Sequence, residues 1–402
     1  MQGLVHTLIP GSPLCATFHD GQIHDPLGGG AYAFQNDIVK PVLLALLQDE
    51  ERCNTGAAPI EAGDPDRLPT RPIVIHAGLQ PNNSPHVGTL VVFCYAFSFA
   101  RAIRDRMRDL AATRENTPPS VTVQITFVDT APVKDQGIEI EGIQYQRSHR
   151  DTPDALSSHM ADYEEVICFL STWSDVPSTR STLGPELSPK YSSLALRSAC
   201  PVPGYGLAEK HGRLNEYKAG GANQDGVIAF HYPRHGPHTT NLSYPGEIAR
   251  LEANTPTRNL LRSMVHLLDT TTHHVRVTGA DYAGMYQETS LYRPLAAWSA
   301  ITGLAGGRTP HILYAPLIVD WSGVKLSKSL YVRDGAYAFL NQLGMDGFCS
   351  FARLKDRFGG DGAKGLRRVW DEVQRWVADP KKLFRAFSLA YLQGVIMQEE
   401  KD

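Results

Sequence analysis

Between Arg71 and Val128 the chain switches hydrophobic period twice, and few folds satisfy that order. The run Arg71-Pro-Ile-Val-Ile-His-Ala-Gly is β-rich and stops at glycine. After a polar loop over 79–85, residues 86–108 carry Leu90, Phe93, Cys94, Phe97, Ala100, Ile103 and Met107 at steps of three and four, the stripe of a core-facing helix. Val121-Thr-Val-Gln-Ile-Thr-Phe-Val is a second β-rich run, closing on Asp129. Strand, helix and strand at this spacing make a βαβ unit, which commits the chain to a parallel sheet covered by helices. A second such unit is expected from a strand over 274–279, a helix over 282–301 and a strand over 312–319. Between the two units, a helix over 153–171 turns Leu156, Met160, Tyr163, Ile167 and Leu170 inward; the rest of that stretch is rich in Ser, Pro, Gly and Tyr. Further helices are expected over 37–52, 335–343, 363–377 and 382–397.

Composition narrows the class. The 402 residues are enough for two or three domains at about 150 each. Hydrophobic residues make up 42% and charged residues 20%, which excludes a disordered chain, a collagen and a coiled-coil rod. The 39 Lys and Arg against 42 Asp and Glu leave a net charge of −3, so any contact with nucleic acid is local, and a generic DNA-binding protein is excluded. Neither a signal peptide nor a membrane span is expected, and the cytoplasm is the expected compartment. The 6 cysteines are scattered without a Cys-x-x-Cys pair, which points to free thiols. His273-His274 and the group His231, His235 and His238 are the possible metal ligands, but no structural metal is expected from their spacing.

Two loops carry chemistry. Pro81-Asn-Asn-Ser-Pro-His-Val-Gly-Thr follows a strand and opens a helix, whose N-terminus suits a phosphate. There Gly88 permits close approach of a nucleotide and His86 can donate to phosphate oxygens. Asp320-Trp-Ser-Gly-Val-Lys-Leu-Ser-Lys-Ser sets Lys325 and Lys328 among hydroxyls, suited to triphosphate charge that leaves as pyrophosphate. A third group, Asp162-Tyr-Glu-Glu165, puts two carboxylates on one helix face beside Tyr163, where they could hold a cation or move protons.

In order and separation the two loops resemble the signatures of class I aminoacyl-tRNA synthetases. His86-Val-Gly-Thr is similar to the "HIGH" element, and Lys325-Leu-Ser-Lys-Ser to the "KMSKS" element. Phe127-Val-Asp129, Thr278-Gly-Ala-Asp281 and Pro316-Leu-Ile-Val-Asp320 add to the likeness, which covers about residues 71–335. It implies an α/β fold with a Rossmann-like parallel sheet. The implied layout is an N-terminal extension (1–70), a first catalytic half (71–129), a connective insertion (130–255), a second catalytic half (256–335) and a small helical C-terminal region (336–402). It further implies ATP, with Mg2+ as its counterion, held by His86, Gly88, Thr89, Gly279, Asp281, Lys325, Ser327, Lys328 and Ser329. His86, Lys325 and Lys328 would be catalytic, joined by Asp162 and Glu165. Asp129, Asp281, Glu288 and Tyr163 would bind the substrate.

Two departures bear on function. Thr89 replaces the second histidine of the first element, and little chain follows Ser329 for an anticodon-binding module. A single unit of this kind most resembles the fungal arginine-containing cyclodipeptide synthases. That implies amide formation between an arginyl group, delivered as arginyl-tRNA, and a second, free amino acid, in secondary metabolism. The alternatives are a stand-alone synthetase-like ligase transferring an adenylated amino acid to tRNA or an amine, and an inactive binding paralogue. The basic stretch over 351–385 and the run Arg101, Arg104, Arg106 and Arg108 are candidate RNA contacts.

Overall fold

The computed structural model describes residues 37–55, 67–114, 117–128, 132–182, 196–209, 212, 214–220, 225–284, 287–302, 310–320, 323–326 and 340–397. Strands β1 (Ile73–Leu79), β2 (Val121–Phe127), β3 (Ser178–Thr182), β4 (His273–Gly279) and β5 (His311–Ala315) form one sheet in the order β3-β2-β1-β4-β5. Every neighbouring pair is parallel. This is the doubly wound order, and its direction reverses between β1 and β4, where such sheets open a crevice at their carboxyl ends. The longer α-helices among the described residues are α1 (Val39–Thr55), α2 (Val87–Ala112), α3 (Pro153–Ser174), α4 (Thr255–Leu268), α5 (Arg293–Thr302), α6 (Phe351–Arg357), α7 (Gly362–Ala378) and α8 (Leu389–Met397).

Strand parity decides which side chains meet which helices. Ile73, Ile75, Ala77 and Leu79 of β1, Val275 and Val277 of β4, and Leu313 and Ala315 of β5 share the main core with α1, α2, α3, α7 and α8. By length and composition α2 could cross a membrane, but its apolar residues are buried against the sheet and α7. On the opposite face Leu260, Leu261, Met264 and Leu267 of α4 pack with Leu295 and Trp298 of α5 and Ile312 of β5. His76, His274 and Arg276, at the alternate strand positions, turn toward α4, where they meet His266 and Asn259.

Helix α1 is fastened under the sheet by buried ionisable groups. Glu50 accepts from His273 Nε2 at 2.8 Å and from the backbone N–H of Thr70 and Arg71 at 2.7 and 3.0 Å. Asp49 meets His311 Nε2 at 2.7 Å. Burial by itself raises the Glu50 carboxyl, but the hydrogen bonds from His273 and the two amides overturn that and hold it at about 2. Its contribution is present above its ordinary value of 4.5 and is lost as pH falls toward 2. Glu50→Ala strands these donors and is expected to lower unfolding stability by about 3 kcal/mol in urea titration at pH 7, a loss that shrinks as pH approaches 3.

The structure departs from the sequence expectation in four places. The helix expected over 282–301 begins as a 3-10 turn at Ala280–Tyr282, breaks at Gly284 (φ 66), resumes as a π-helix over Glu288–Tyr292 and becomes α5 at Arg293. The strand expected over 312–319 ends at Ala315 before Pro316 and resumes at Ile318–Val319. That short strand pairs with Phe387–Ser388, which interrupts the helix expected over 382–397 and leaves only α8. The helix α6, capped by Ser350 accepting from the Arg353 N–H, was not foreseen. The segment 130–255 contributes α3 and β3 to the central layers and adds small antiparallel sheets, among them the hairpin of Val227–Tyr232 with Gly236–Asn241. Residues 1–36 and 327–339, with most of the helix expected over 335–343, lie outside the described residues.

Candidate functional site

The crevice between β1 and β4 opens into a cavity of about 430 Å3. The β1–α2 loop forms one wall, the carboxyl end of β4 another, and the segment around Lys325 closes a third. The loop is held in place by three neighbours. Tyr163 of α3 donates from its hydroxyl to the Asn83 carbonyl at 2.9 Å, while its ring lies edge-on to Phe93 and Phe127. His149 Nε2 lies 2.7 Å from Asn82 Oδ1. Ser84 Oγ accepts from the Ala352 N–H at 3.3 Å.

His86 is the N-cap residue of α2, with extended backbone; its carbonyl accepts from the N–H groups of Thr89 and Leu90. Burial, and then the positive charge of Lys325, push its imidazole down to about 4, so the ring is neutral at pH 7. Nε2 lies 3.3 Å from Thr89 Oγ1, whereas Nδ1 is buried with no hydrogen-bond partner among the described residues. A Cβ at position 88 would stand 2.9 Å from His86 Cε1. Gly88 is therefore needed first to make room for the His86 ring, not only for a nucleotide.

Lys325 is aimed by a tight turn. The Asp320 carboxylate accepts from the Val324 N–H at 3.1 Å, Gly323 takes φ 78, and Val319 bridges Lys325. The ammonium group reaches across the crevice to Asp281, with Nζ 2.8 Å from Oδ2, and both side chains stay partly exposed. A Cβ on Gly279 would lie 2.6 Å from Asp281 Oδ1, so glycine there lets that carboxylate fold back along the strand end. His86, Gly88, Thr89, Tyr163, Gly279, Asp281 and Lys325 thus converge on one cavity. Asp129, Ser327, Lys328 and Ser329 lie outside the described residues, and Glu288 opens the π-helix.

Asp162 and Glu165 do not line this cavity. Helical rotation brings Tyr163 into the wall, and Glu165 instead pairs with Lys355 of α6 at 2.6 Å. Of the two carboxylates expected to hold an arginyl group, Glu165 ties α3 to α6. The basic runs are also largely engaged in structural contacts. Arg104 donates to the Ser174 carbonyl at 2.7 Å and to Asp175, closing the C-terminus of α3. Arg353 and Arg357 reach Asp346, and along α7 Arg367 pairs with Asp371 and Arg375 with Glu372.

The sequence reading missed three arginines. Arg258 and Arg262 of α4 and Arg276 of β4 line the same cavity. Arg258 donates to the Ala253 carbonyl at 2.8 Å and Thr255 Oγ1 at 3.0 Å, and Arg276 donates to Asn259 Oδ1 at 2.5 Å. Arg262 lies against the end of β1, its Nη1 3.5 Å from where a Gly78 Cβ would be. No carboxylate among the described residues pairs with Arg262. Burial, and then Arg276 and Arg258, push its guanidinium down to about 9. The signal was in the sequence: residues 258, 262 and 266 are one helical turn apart, and Arg276 sits on the alternate face of its strand.

No family model matches the chain, and no curated protein does. Among solved structures, a glutamate tRNA ligase from Elizabethkingia meningosepticum in complex with its amino acid aligns at 13% identity and a TM-score of 0.27, over 64% of this chain and 52% of the other. Glutamate-tRNA synthetase from Elizabethkingia anophelis aligns at 12% identity, with the same TM-score and coverage. The chain spans about half the length of these structures, and a likeness this slight says nothing of substrate.

Proposed function

We propose that the chain is an ATP-using ligase of aminoacyl-tRNA synthetase type, which activates the carboxylate of an amino acid in the β1–β4 cavity. The observation that carries this reading is the charge of the lining: Lys325, Arg258, Arg262 and Arg276 stand against the one described lining carboxylate, Asp281, while His86 is neutral. Such a cavity calls for a polyanion, and the buried Nδ1 of His86 at the mouth of α2 offers a phosphate oxygen a donor. In the reaction a carboxylate oxygen bonds to the α-phosphorus and the bond to the β-phosphate breaks. Pyrophosphate leaves, with Lys325 stabilising the departing charge. A nucleophile then takes the acyl group and AMP departs.

The nucleophile defines the finer reading. A tRNA hydroxyl makes the chain a minimal synthetase. An amine makes it an amide-forming enzyme, and tRNA-dependent cyclodipeptide synthesis is the form the sequence motifs favour. A cationic cavity suits the phosphates of a tRNA 3′ end as well as those of ATP. It is a poor host for an arginine side chain, because Asp281 already pairs with Lys325 and the arginines repel a further guanidinium. The test is mass spectrometry of the products formed from ATP, all twenty amino acids, total tRNA and a mixture of synthetases, with ribonuclease-treated and ATP-free controls. A diketopiperazine lost on ribonuclease treatment establishes the cyclodipeptide form, tRNA charged by this chain when the added synthetases are left out establishes the synthetase form, and neither product refutes the ligase reading.

A further inference from the structure

Beneath the arginines, on the same α4-facing side of β1 and β4, three histidines from distant parts of the sequence meet. His76 Nε2 lies 2.8 Å from His274 Nδ1. The His266 ring stacks on His274 at 4.1 Å and 10° and approaches His76 at 4.4 Å between centroids. One ring nitrogen from each lies within 4.8 Å of the others. We propose that His76, His266 and His274 form a zinc site that fastens β1, β4 and α4 together under the catalytic cavity.

Two features support a borderline-soft divalent ion with nitrogen ligands. The first is the partner behind His274: its Nε2 lies 2.8 Å from Asp269 Oδ2, and that carboxylate is fixed in turn by the Thr271 hydroxyl and N–H, each 2.7 Å from Oδ1. A carboxylate there keeps the proton on Nε2 and turns Nδ1 toward the other two rings, the carboxylate–histidine–metal arrangement. The second is room: a chamber of about 20 Å3 opens beside His266 and His274, the scale of one small guest.

Donors on one tetrahedral zinc at about 2.0–2.1 Å stand roughly 3.3 Å apart. The His76 and His274 nitrogens, 2.8 Å apart, stand inside that value and the three nitrogens lie within 4.8 Å of one another, so rotation of the rings brings them onto one ion, and the fourth position falls to water from the chamber. Arg262 and Arg276 on the same face oppose a dication, and the Asp269 carboxylate offsets part of that charge. The pair His273-His274, adjacent in sequence, is divided by strand parity: His273 turns to Glu50 and His274 to this cluster.

The test uses tag-free full-length protein. After Zn2+ loading and dialysis, elemental analysis is expected to find one zinc per chain, with a higher Tm that chelator removes. Co2+ in its place is expected to give the strong visible bands of a four-coordinate site. Asp269→Asn is expected to weaken binding by about 10–100-fold. His266→Gln, on the less buried helix position, should fold with the Tm of the metal-free protein and lose both the cobalt bands and the zinc-dependent rise in Tm. Absence of retained metal and of cobalt bands in the unmodified protein overturns the proposal, and so does His266→Gln binding as well as the parent.

Discussion

Lys325→Ala is expected to lower amino-acid-dependent ATP–pyrophosphate exchange by about 10²–10³-fold, the usual cost of removing one preorganised donor to developing charge. Lys325 is partly exposed, and its pair with Asp281 is of the surface kind, worth less than about 1 kcal/mol. Thermal unfolding should therefore hardly change, and loss of exchange with unchanged Tm separates a functional role from a structural one. His86→Ala is expected to act in the same direction. The His86 ring is already neutral down to about pH 4, so the exchange rate should show no inflection near pH 6.5 from this residue. An inflection abolished in His86→Ala would contradict the burial and Lys325 proximity described above.

The second large effect concerns Arg262. A partly buried cation between Arg258 and Arg276, without a described carboxylate partner, is costly in the free protein. Arg262→Met keeps the length of the side chain and removes the repulsion, so it is expected to raise unfolding stability by about 1–3 kcal/mol in the absence of substrate. The same change should raise KM for the anionic substrate by about 100-fold, the equivalent of one lost charge-assisted contact. The pH dependence has a defined sign. With the guanidinium held at about 9 in the fold and at its much higher ordinary value outside it, the penalty is complete below pH 9 and is relieved as pH rises above that value. The stability gain on substitution should thus shrink above pH 9. A variant that loses stability and keeps its KM would make Arg262 a packing residue.

How far the sequence revealed the molecule follows from what each pattern depends on. The βαβ unit over 71–128 was legible because β1, α2 and β2 are each written in local hydrophobic period, and α2 is buried on almost every side. The parallel Rossmann-like sheet follows from it. The loops at His86 and Lys325 were legible because the chemistry of a helix N-terminus and of a lysine turn is local, and the structure brings them to one cavity. What escaped was long-range. Arg258, Arg262 and Arg276 become a site only when α4 lies against β4, and His76 meets His274 only through strand register. The carboxylates of α3 show the converse: Asp162 and Glu165 have the right spacing for a site, but which partner a helix face meets is set by packing, and Glu165 meets Lys355.

The central claim is that this cavity activates an amino acid with ATP. The most direct measurement is ATP–pyrophosphate exchange by the unmodified protein with each of the twenty amino acids in turn, with and without total tRNA. Exchange that depends on one amino acid or a small group, and that Lys325→Ala abolishes, is the expected result. No exchange with any amino acid in either condition, from protein whose cavity binds ATP, would contradict activation and mean that acyl groups reach the cavity already activated.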